Sequence, residues 1–443
     1  MGLMPPLAIL MGAIGVLSRR RPWLSLVGIV LLSVGAGSLS ADLRLPETTP
    51  LDALARDVPR CEIDGSVLEP AGGLGTIVMV DGARCATWSA SSLGLVAVRE
   101  GAGPSGSVYR AEGWFVPLGR DGFDASLRRA GAQATFHVVD MDTVIGPSGA
   151  HAVAHRVREG LGLAMSRVDD RVGALLEGLT IGNTSGLDPR TIDLFRNAGL
   201  SHVLAVSGSN VGIVLGAVLV GLRSLGHRVR IAFGYAGLGL FALIVGPDPS
   251  VLRAVAMGAI ALACMAYGRT SEPLAALGLA IMVVIALRPG MLFSVGMQLS
   301  AAATAGIVIF CAPIERGLRG LPVGFRTMIA ATLAAQVAVA PILILVFGEL
   351  SLIAPLANAL ALPAVAPATV VGLAAGSISV FVPVVGQLLA AIVAPAGAWI
   401  LAVADRTGSQ PWSLVMVPTV VGWPVLGCVA VWATVVLRRQ EVH

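Results

Sequence analysis

The chain has 443 residues, 56% of them hydrophobic and 13% charged, with a mean hydropathy of +0.84 and a formal charge of +4. About a quarter of the residues in a soluble domain are charged, so this composition excludes an ordinary soluble protein and predicts a polytopic α-helical membrane protein. All 30 basic residues are arginine. Because a P-loop requires lysine, an ordinary P-loop ATPase is also excluded.

Residues 1–39 predict an N-terminal transmembrane hairpin. Two apolar runs, 3–17 and 23–39, flank three consecutive arginines at 19–21. The positive-inside rule places this arginine turn in the cytoplasm, so the chain from residue 40 onward is expected outside it. No cleavable signal peptide is expected, because no basic segment precedes the first apolar run.

Residues 40–147 are polar and rich in glycine, and they predict an extracytoplasmic all-β domain. Gly, Pro, Asp and Ser separate short β-favouring runs at 75–80, 93–98, 113–116 and 134–139. Short strands in a domain of about this size are typical of an OB-like barrel. Cys61 and Cys85 lie in this region and can form a disulfide if it is outside the cytoplasm.

Residues 148–200 predict an amphipathic helix and then a short docking helix. Apolar residues recur with helical spacing through 151–179, with charged residues between them, so the first helix is expected on the membrane or against the bundle. Asp188 before Pro189 is a strong helix start, and Gly199 is a strong helix stop.

Residues 201–437 predict a transmembrane domain, followed by a cytoplasmic tail at 438–443. With the first hairpin, the apolar segments give about eleven transmembrane helices. Segment 353–383 is long enough to be a broken helix or a re-entrant pair. The segments are 204–222, 231–245, 251–267, 273–287, 297–312, 328–347, 353–383, 385–404 and 414–437.

The loop arginines agree with this topology. If the spans alternate from an external residue 201, nearly every turn satisfies the positive-inside rule. The arginines placed in the cytoplasm are Arg223, Arg228, Arg230, Arg269, Arg316, Arg319, Arg326, Arg438 and Arg439.

The stretch 199–216, GLSHVLAVSGSNVGIVLG, carries a polar cluster near the start of an apolar segment. Unpaired polar groups are costly in hydrocarbon, so Ser207, Ser209 and Asn210 are expected to face a protein interior or a water-filled path. A purely structural role in interhelical hydrogen bonds is the alternative. A second face, expected to pack closely on a neighbouring helix, carries Gly208, Gly212 and Gly216.

Arg253 lies inside a predicted span, where a buried arginine is expensive and is a functional candidate. Pairing with Asp248 and snorkelling to the interface are the alternatives. Arginine, amides and hydroxyls with few carboxylates favour passage of an anion over a cation or proton. The other polar residues of the spans are Gln298, Ser300, Gln336 and Asn358.

Six sequence blocks occur in a linked order along the chain. They are DGFDASLRRAGAQATF (121–136), GLSHVLAVSGSNVG (199–212), PSVLRA (249–254), GR with a following proline (Gly268, Arg269, Pro273), GMQLS (296–300) and FGELSLIAPLANALALP (347–363). In this order they resemble the ComEC-type competence proteins, the inner-membrane channels for transforming DNA. The resemblance covers the chain from the first spans to near the C-terminus.

The chain also departs from that family's pattern. Ser209 and Asn210 replace the leucine and histidine of the usual SGLHVG, and Asn183 stands at the acidic position of an LGDR-like block. Many members continue into a metallo-β-lactamase-like domain, and this chain resembles a form that lacks it. Its six histidines are scattered and no HxHxDH run occurs, so DNA hydrolysis is not expected.

The resemblance implies a channel that passes single-stranded DNA across the bacterial inner membrane, rather than an enzyme. The external OB-like domain would bind the incoming strand, with Tyr109, Arg110 and Trp114 as the first candidates. Core packing is the alternative for most aromatic residues of this domain, which also include Trp88, Phe115, Phe123 and Phe136. The entrance of the path is assigned to Asn183 and Arg190. The path itself is assigned to Ser207, Ser209, Asn210, Arg253, Gln298, Ser300 and Asn358.

The expected partners are single-stranded DNA, the lipid bilayer, an external DNA receptor, a cytoplasmic helicase or translocase, and a separate nuclease. No cofactor or metal is predicted; His151 and His155 have the spacing of two ligands, but no third ligand is nearby. A transporter or flippase of another anionic polymer or lipid-linked glycan is the alternative. A hydrolase using Ser207 or Ser209 is disfavoured, because no activating His or Asp stands beside either serine.

Overall fold

The computed structural model describes residues 60–70, 76–85, 89–98, 104–118, 132, 134–204, 206–288, 291–292 and 294–440. The predicted hairpin at 1–39 lies outside these residues, as do Trp88 and Phe123. These residues form a β-barrel and a set of helices.

Five strands form a closed barrel in the order β1-β2-β3-β5-β4, and β1 pairs with β4 to close it. Neighbouring strands are antiparallel except β3 and β5, which are parallel. The strands are β1 (Cys61–Pro70), β2 (Thr76–Cys85), β3 (Ser89–Val98), β4 (Val108–Pro117) and β5 (Ala134–Ile145). The four predicted β runs each fall within or overlap one of these strands.

Strand β1 is not among the predicted runs, because Asp64, Gly65 and Pro70 weaken its β character. A side chain at Gly65 would crowd the carbonyl oxygen of Met79 at 2.7 Å. The strand register shifts between Asp64 and Gly65, as in a β-bulge. Pairing on both sides therefore overrides the local preference of this strand.

Two helices replace the single amphipathic helix predicted over 151–179. They are α1 (Gly149–Met165) and α2 (Asp170–Ile181). The Asp169 side chain caps α2 by accepting hydrogen bonds from the Arg171 and Val172 amides. The apolar spacing continues across the break, which hides this cap in the sequence.

The short helix predicted between Asp188 and Gly199 is present as α3 (Pro189–Asn197), which begins after the capping residue Asp188. Gly199 ends this element with φ +70°, a conformation that favours glycine. A methyl group at Gly199 would also overlap the side chain of Ala354. A single-turn helix, α4 (Ser201–Leu204), follows.

Nine apolar helices in the described part of the chain correspond to the nine predicted segments. Seven are long and apolar enough to cross a membrane, and α5 and α8 are shorter. The helices are α5 (Gly208–Gly221), α6 (His227–Val245), α7 (Pro249–Ala266), α8 (Pro273–Leu287), α9 (Val295–Gly317), α10 (Val323–Phe347), α11 (Ala354–Ser379), α12 (Pro383–Gly408) and α13 (Gly422–Gln440).

The segment predicted to be broken or re-entrant is one continuous helix, α11, with Pro363 and Pro367 inside it. Before α11, a short strand, β6 (Glu349–Ser351), pairs with β7 (Leu414–Met416). The close approach of α11 to α1 uses glycines, because a methyl group at Gly160 would overlap the carbonyl oxygen of Gly376.

Helix α2 lies in the largest apolar cluster of the described residues, against α11 and α12. Leu175, Leu176 and Leu179 are fully buried there. A methyl group at Gly397 of α12 would meet Val172 at 2.9 Å. The 151–179 segment therefore packs against the bundle, which is one of the two positions expected for it.

Candidate functional site

The polar stretch at 207–210 forms the start of α5. Helix α5 therefore begins at Gly208, four residues later than the start of the apolar segment predicted over 204–222. Ser207 is the N-cap residue, but its side chain makes no capping hydrogen bond. Its hydroxyl instead contacts the Ser209 hydroxyl at 2.5 Å and Asn210 Oδ1 at 3.3 Å. These hydroxyls leave the first amides of α5 without a side-chain cap.

Asn210 ties α5 to the end of α2. Its side chain is 1% exposed, and Nδ2 donates to the Leu179 carbonyl oxygen at 2.9 Å. The last carbonyl groups of a helix lack intrahelical partners, so this bond satisfies a backbone group that would otherwise be unpaired. Asn210 is thus held as a structural link in this conformation.

Arg253 is buried at the start of α7, with 5% of its surface exposed. Nε donates to Ser300 Oγ on α9 at 2.9 Å, and Nη1 lies 3.2 Å from the Met257 sulfur. Among the described residues no carboxylate forms an ion pair with it. Asp248 forms no ion pair with it in the described structure, so the expected pairing with that carboxylate is not seen.

The first residue of α5 makes room for this guanidinium. A methyl group at Gly208 would overlap Arg253 Nη2 and would lie 3.3 Å from the Ala254 side chain. By contrast, a methyl group at Gly212 or Gly216 would meet nothing within 4 Å. The predicted glycine packing face is therefore wrong for those two residues, and only Gly208 makes a close contact.

The starts of α5, α7 and α9 thus meet around one buried cation. Ser250 strengthens this junction, since its hydroxyl donates to the Val206 carbonyl oxygen at 2.9 Å. Helix N-termini carry partial positive charge. The arrangement is electropositive and, among the described residues, lacks an acidic partner, which suits an anion.

Gln298 and Asn358, two further residues assigned to the path, form their hydrogen bonds with groups other than Arg253. Gln298 is exposed and donates to the Leu292 carbonyl oxygen at 3.2 Å. Asn358 is 5% exposed and donates to the Ala354 carbonyl oxygen of its own helix at 2.8 Å. Its Oδ1 has no partner among the described residues. Of the six other predicted path residues, only Ser300 forms a hydrogen bond with Arg253 in the described structure.

The two predicted entrance residues lie on the surface near α2 and α3. Asn183 Nδ2 donates to Glu177 Oε2 at 2.9 Å, and burial raises the pKa of that carboxyl while this bond opposes the shift. Arg190 lines a polar recess of about 500 Å³ beside Arg171 and Asp405. Arg171 and Asp405 form a two-bond ion pair of 2.6 and 2.9 Å there.

The barrel residues proposed to bind DNA divide between its interior and its surface. Tyr109 is 0% exposed, and burial raises the pKa of its hydroxyl. A ring enclosed in this way cannot stack on a base, so Tyr109 is a core residue. Arg110 is exposed but bonded to Asp64 at 2.8 Å and Glu62 at 3.1 Å.

Trp114 stacks on His137 with 5.8 Å between ring centroids and 4° between planes. Phe115 and Phe136 contact each other in the barrel core, at 4.9 Å. Trp114 is half-buried, whereas Tyr109, Phe115 and Phe136 are buried, so Trp114 is the candidate aromatic residue of the described barrel with an accessible ring. The sulfurs of Cys61 and Cys85 are joined in a disulfide between β1 and β2.

Sequence reasoning does not assign two residues of this site, Gly208 and Met257. The sequence predicts a helix-packing role for Gly208, and the structure also places it beside the guanidinium of Arg253. Met257 follows Arg253 by four residues on α7. This spacing places the two side chains on one helix face, so their contact could have been predicted from the sequence. The contact between Arg253 and Ser300 joins residues 47 positions apart in the sequence, so no local sequence pattern predicts it.

The sequence profile of one protein family, described as competence protein, matches residues 179–442. The chain belongs to the competence protein family. The matched range of this competence protein includes Asn210, Arg253 and Ser300, and it leaves out the barrel. The resemblance noted in the sequence is thereby confirmed at the level of the family.

Two relatives of this competence protein are ComE operon protein 3 of Bacillus subtilis and competence protein ComA of Neisseria gonorrhoeae. The first is 28% identical over 192 residues, which are 43% of this chain and 24% of the relative. The second is 30% identical over 209 residues, which are 44% of this chain and 29% of the relative. The matches thus span less than a third of either relative. No solved structure matches the chain significantly.

Proposed function

We propose that this competence-family protein is an inner-membrane channel for uptake of single-stranded DNA during natural transformation. The observation that carries the proposal is Arg253, a buried guanidinium in a membrane-class helix with no carboxylate partner among the described residues. A strand of phosphodiesters supplies the negative charge that such a group lacks. Membership of the competence family supports the choice of DNA over other anions.

The barrel is proposed to bind the incoming strand outside the cytoplasm. A closed barrel of five strands supports an OB-like assignment, and OB folds bind single strands with basic and aromatic residues. Trp114 and Arg110 are the residues retained for this role. Arg110 would exchange its contacts with Glu62 and Asp64 for phosphates, so binding there should be weak and strongly dependent on salt.

The further partners are proposals that follow from the same role. No fuel-binding motif is predicted in the chain, so a cytoplasmic helicase or translocase would pull the strand and an external receptor would present it. A separate nuclease would supply the single strand. Ser207 and Ser209 lie beside each other and an amide in the described structure, which gives no support to a hydrolytic role.

The test is uptake of labelled donor DNA into cells with and without the gene, with surface-bound and DNase-protected label counted separately. We expect the deletion to keep surface binding and lose protected label. Unchanged protected label and transformation would overturn the channel proposal. Normal DNA uptake together with altered surface glycans would favour the alternative, a transporter or flippase of another anionic polymer or lipid-linked glycan.

The orientation of the barrel has its own test. A disulfide persists in an oxidising compartment, so the bond between Cys61 and Cys85 supports a position outside the cytoplasm. We expect a membrane-impermeant thiol reagent to label these cysteines in intact cells only after reduction. Labelling that requires disruption of the membrane would place the barrel inside.

A further inference from the structure

The environment of Arg253 contains more hydrogen-bond donors than acceptors. A guanidinium has five N–H donors. In the described structure, Nε reaches the neutral Ser300 hydroxyl and Nη1 reaches the Met257 sulfur, whereas Nη2 has no hydrogen-bond partner. A thioether is a weak acceptor, so Nη1 is also available to a stronger ligand.

The start of α5 lies against the unpartnered nitrogen. Nη2 borders Gly208, the first residue of α5, and this helix end has no side-chain cap. The two observations are independent, because one concerns a buried side chain of α7 and the other the backbone of α5. The Asn210 amide donates to the Ser207 carbonyl oxygen at 3.0 Å, which leaves the amides of Gly208 and Ser209 at this helix end. Together the two observations place guanidinium donors beside backbone amides without a side-chain cap, the combination that binds phosphate groups.

We infer that Arg253 and the first turn of α5 form a discrete binding site for one phosphate-type oxyanion. The ligand class is a phosphate monoanion or a phosphodiester, held by forked guanidinium hydrogen bonds and by backbone amides. If the proposed function is correct, this is the position where the channel holds one phosphodiester of the passing strand. Asn210 and Asn358 would then support helix packing rather than contact DNA.

Gly208 is a specificity residue in this arrangement. A methyl group there would occupy the space beside Nη2, whereas the same change at Gly212 would meet nothing within 4 Å. Gly208→Ala and Gly212→Ala are therefore a matched pair on one helix, and only the first should damage the site.

The test uses the full chain in nanodiscs, with Ser209→Cys as a reporter because Ser209 is exposed beside Gly208. Reaction of the introduced thiol with a negatively charged methanethiosulfonate reagent is followed by peptide mass spectrometry, which separates it from the native cysteines. We expect inorganic phosphate to slow this reaction. Arg253→Met and Gly208→Ala should weaken that protection by about tenfold or more, the factor expected for losing a hydrogen bond to a charged group. Gly212→Ala should not.

Absence of phosphate protection in the reporter with native Arg253 would overturn the inference, even if Arg253→Met fails to fold. Short oligothymidylate and its uncharged methylphosphonate analogue distinguish a strand phosphodiester from free phosphate, and nanodiscs with and without anionic lipid identify a headgroup. If phosphate protects the thiol but the deletion strain takes up DNA normally, the phosphate site is supported and the DNA channel is rejected. Loss of DNA uptake in the deletion strain, together with no protection of the thiol by phosphate, would support the DNA channel and reject the phosphate site.

Discussion

The exposed arginines of the barrel and the buried Arg253 of the helical region have opposite surroundings. On the barrel, Arg84 and Arg110 are exposed and share Glu62 and Asp64 as partners, at 2.8 to 3.6 Å. In the helices, Arg253 is 5% exposed and contacts a hydroxyl and a thioether. The exposed arginines, which water can hydrate, are paired with carboxylates. The buried Arg253 has no carboxylate partner among the described residues.

We expect this difference to distinguish arginines with a structural role from Arg253, the arginine proposed to bind an anion. Exposed ion pairs contribute little to stability and are easily exchanged. A buried charge without a counter-ion opposes folding, so its retention calls for an explanation in binding. The helical region does contain neutralised arginines, such as Arg171 with Asp405, and Arg253 differs from these because no acid faces it among the described residues.

The largest effect should come from neutralising Arg253. We expect Arg253→Gln to reduce DNase-protected label by about 10- to 100-fold, because the lost hydrogen bonds to a charged phosphate are worth about 1.5 to 3 kcal/mol. Arg110→Gln should change the same readout by no more than about twofold, since its charge is already shared with acids. The measurement is uptake of labelled DNA at equal protein levels in the membrane.

The two substitutions also differ in salt dependence. Surface binding that involves Arg110 should weaken as salt rises, whereas the step at Arg253 is shielded by burial. Equal losses of protected label in both variants would contradict the expectation that Arg253 matters more for uptake than Arg110. A larger loss for Arg110→Gln would mean that the barrel arginine matters more.

The next effect concerns the two buried asparagines. Asn210→Ala leaves the Leu179 carbonyl oxygen without the Asn210 side-chain donor, so we expect a loss of about 1 to 3 kcal/mol in the free energy of unfolding. Asn358→Ala is the control, because its amide donates only within its own helix and its Oδ1 is unpartnered among the described residues. That change should cost less than about 1 kcal/mol.

Unfolding of the full chain in detergent micelles would measure both variants. If Asn358→Ala proved the more damaging, the assignment of Asn210 as the structural link would be wrong.

Local signals in the sequence predicted much of the helical part. Asp188 with Pro189 and Gly199 marked both ends of α3, because capping and chain reversal depend on adjacent residues. The apolar helices followed from hydropathy alone. The break before α2 was missed, since the apolar spacing runs through Asp169 and conceals its capping role.

The site was less accessible to sequence reasoning. Strand alternation places Tyr109 and Arg110 on opposite faces of β4, so only one of them was suitable for surface binding, and this signal was readable. The bonds from Asn210 to Leu179 and from Arg253 to Ser300 depend on how helices meet. Residue types alone indicate Arg253 as a functional candidate, but they do not predict which neighbours it has.

The smallest effect is expected at Asp188, an exposed charge with local partners. Hydrogen bonds from the Thr191 hydroxyl and amide hold the pKa of Asp188 below its usual range. A lowered pKa in the folded chain stabilises α3 at pH values above the usual one of about 3.9, and this stabilisation is lost as the pH falls through the lower folded value. Asparagine also caps helices but does not titrate in this range, so Asp188→Asn is the matched control.

Hydrogen exchange at the Thr191 amide, corrected for the intrinsic effect of pH, would follow this cap. We expect protection in the wild-type chain to fall below about pH 4 and that of Asp188→Asn to stay level. A level profile in both chains would mean that the charge of Asp188 adds nothing to its hydrogen bonds. Exposed charges with local partners would then contribute even less to stability than we expect. Their difference from the buried Arg253, which has no carboxylate partner among the described residues, would be larger.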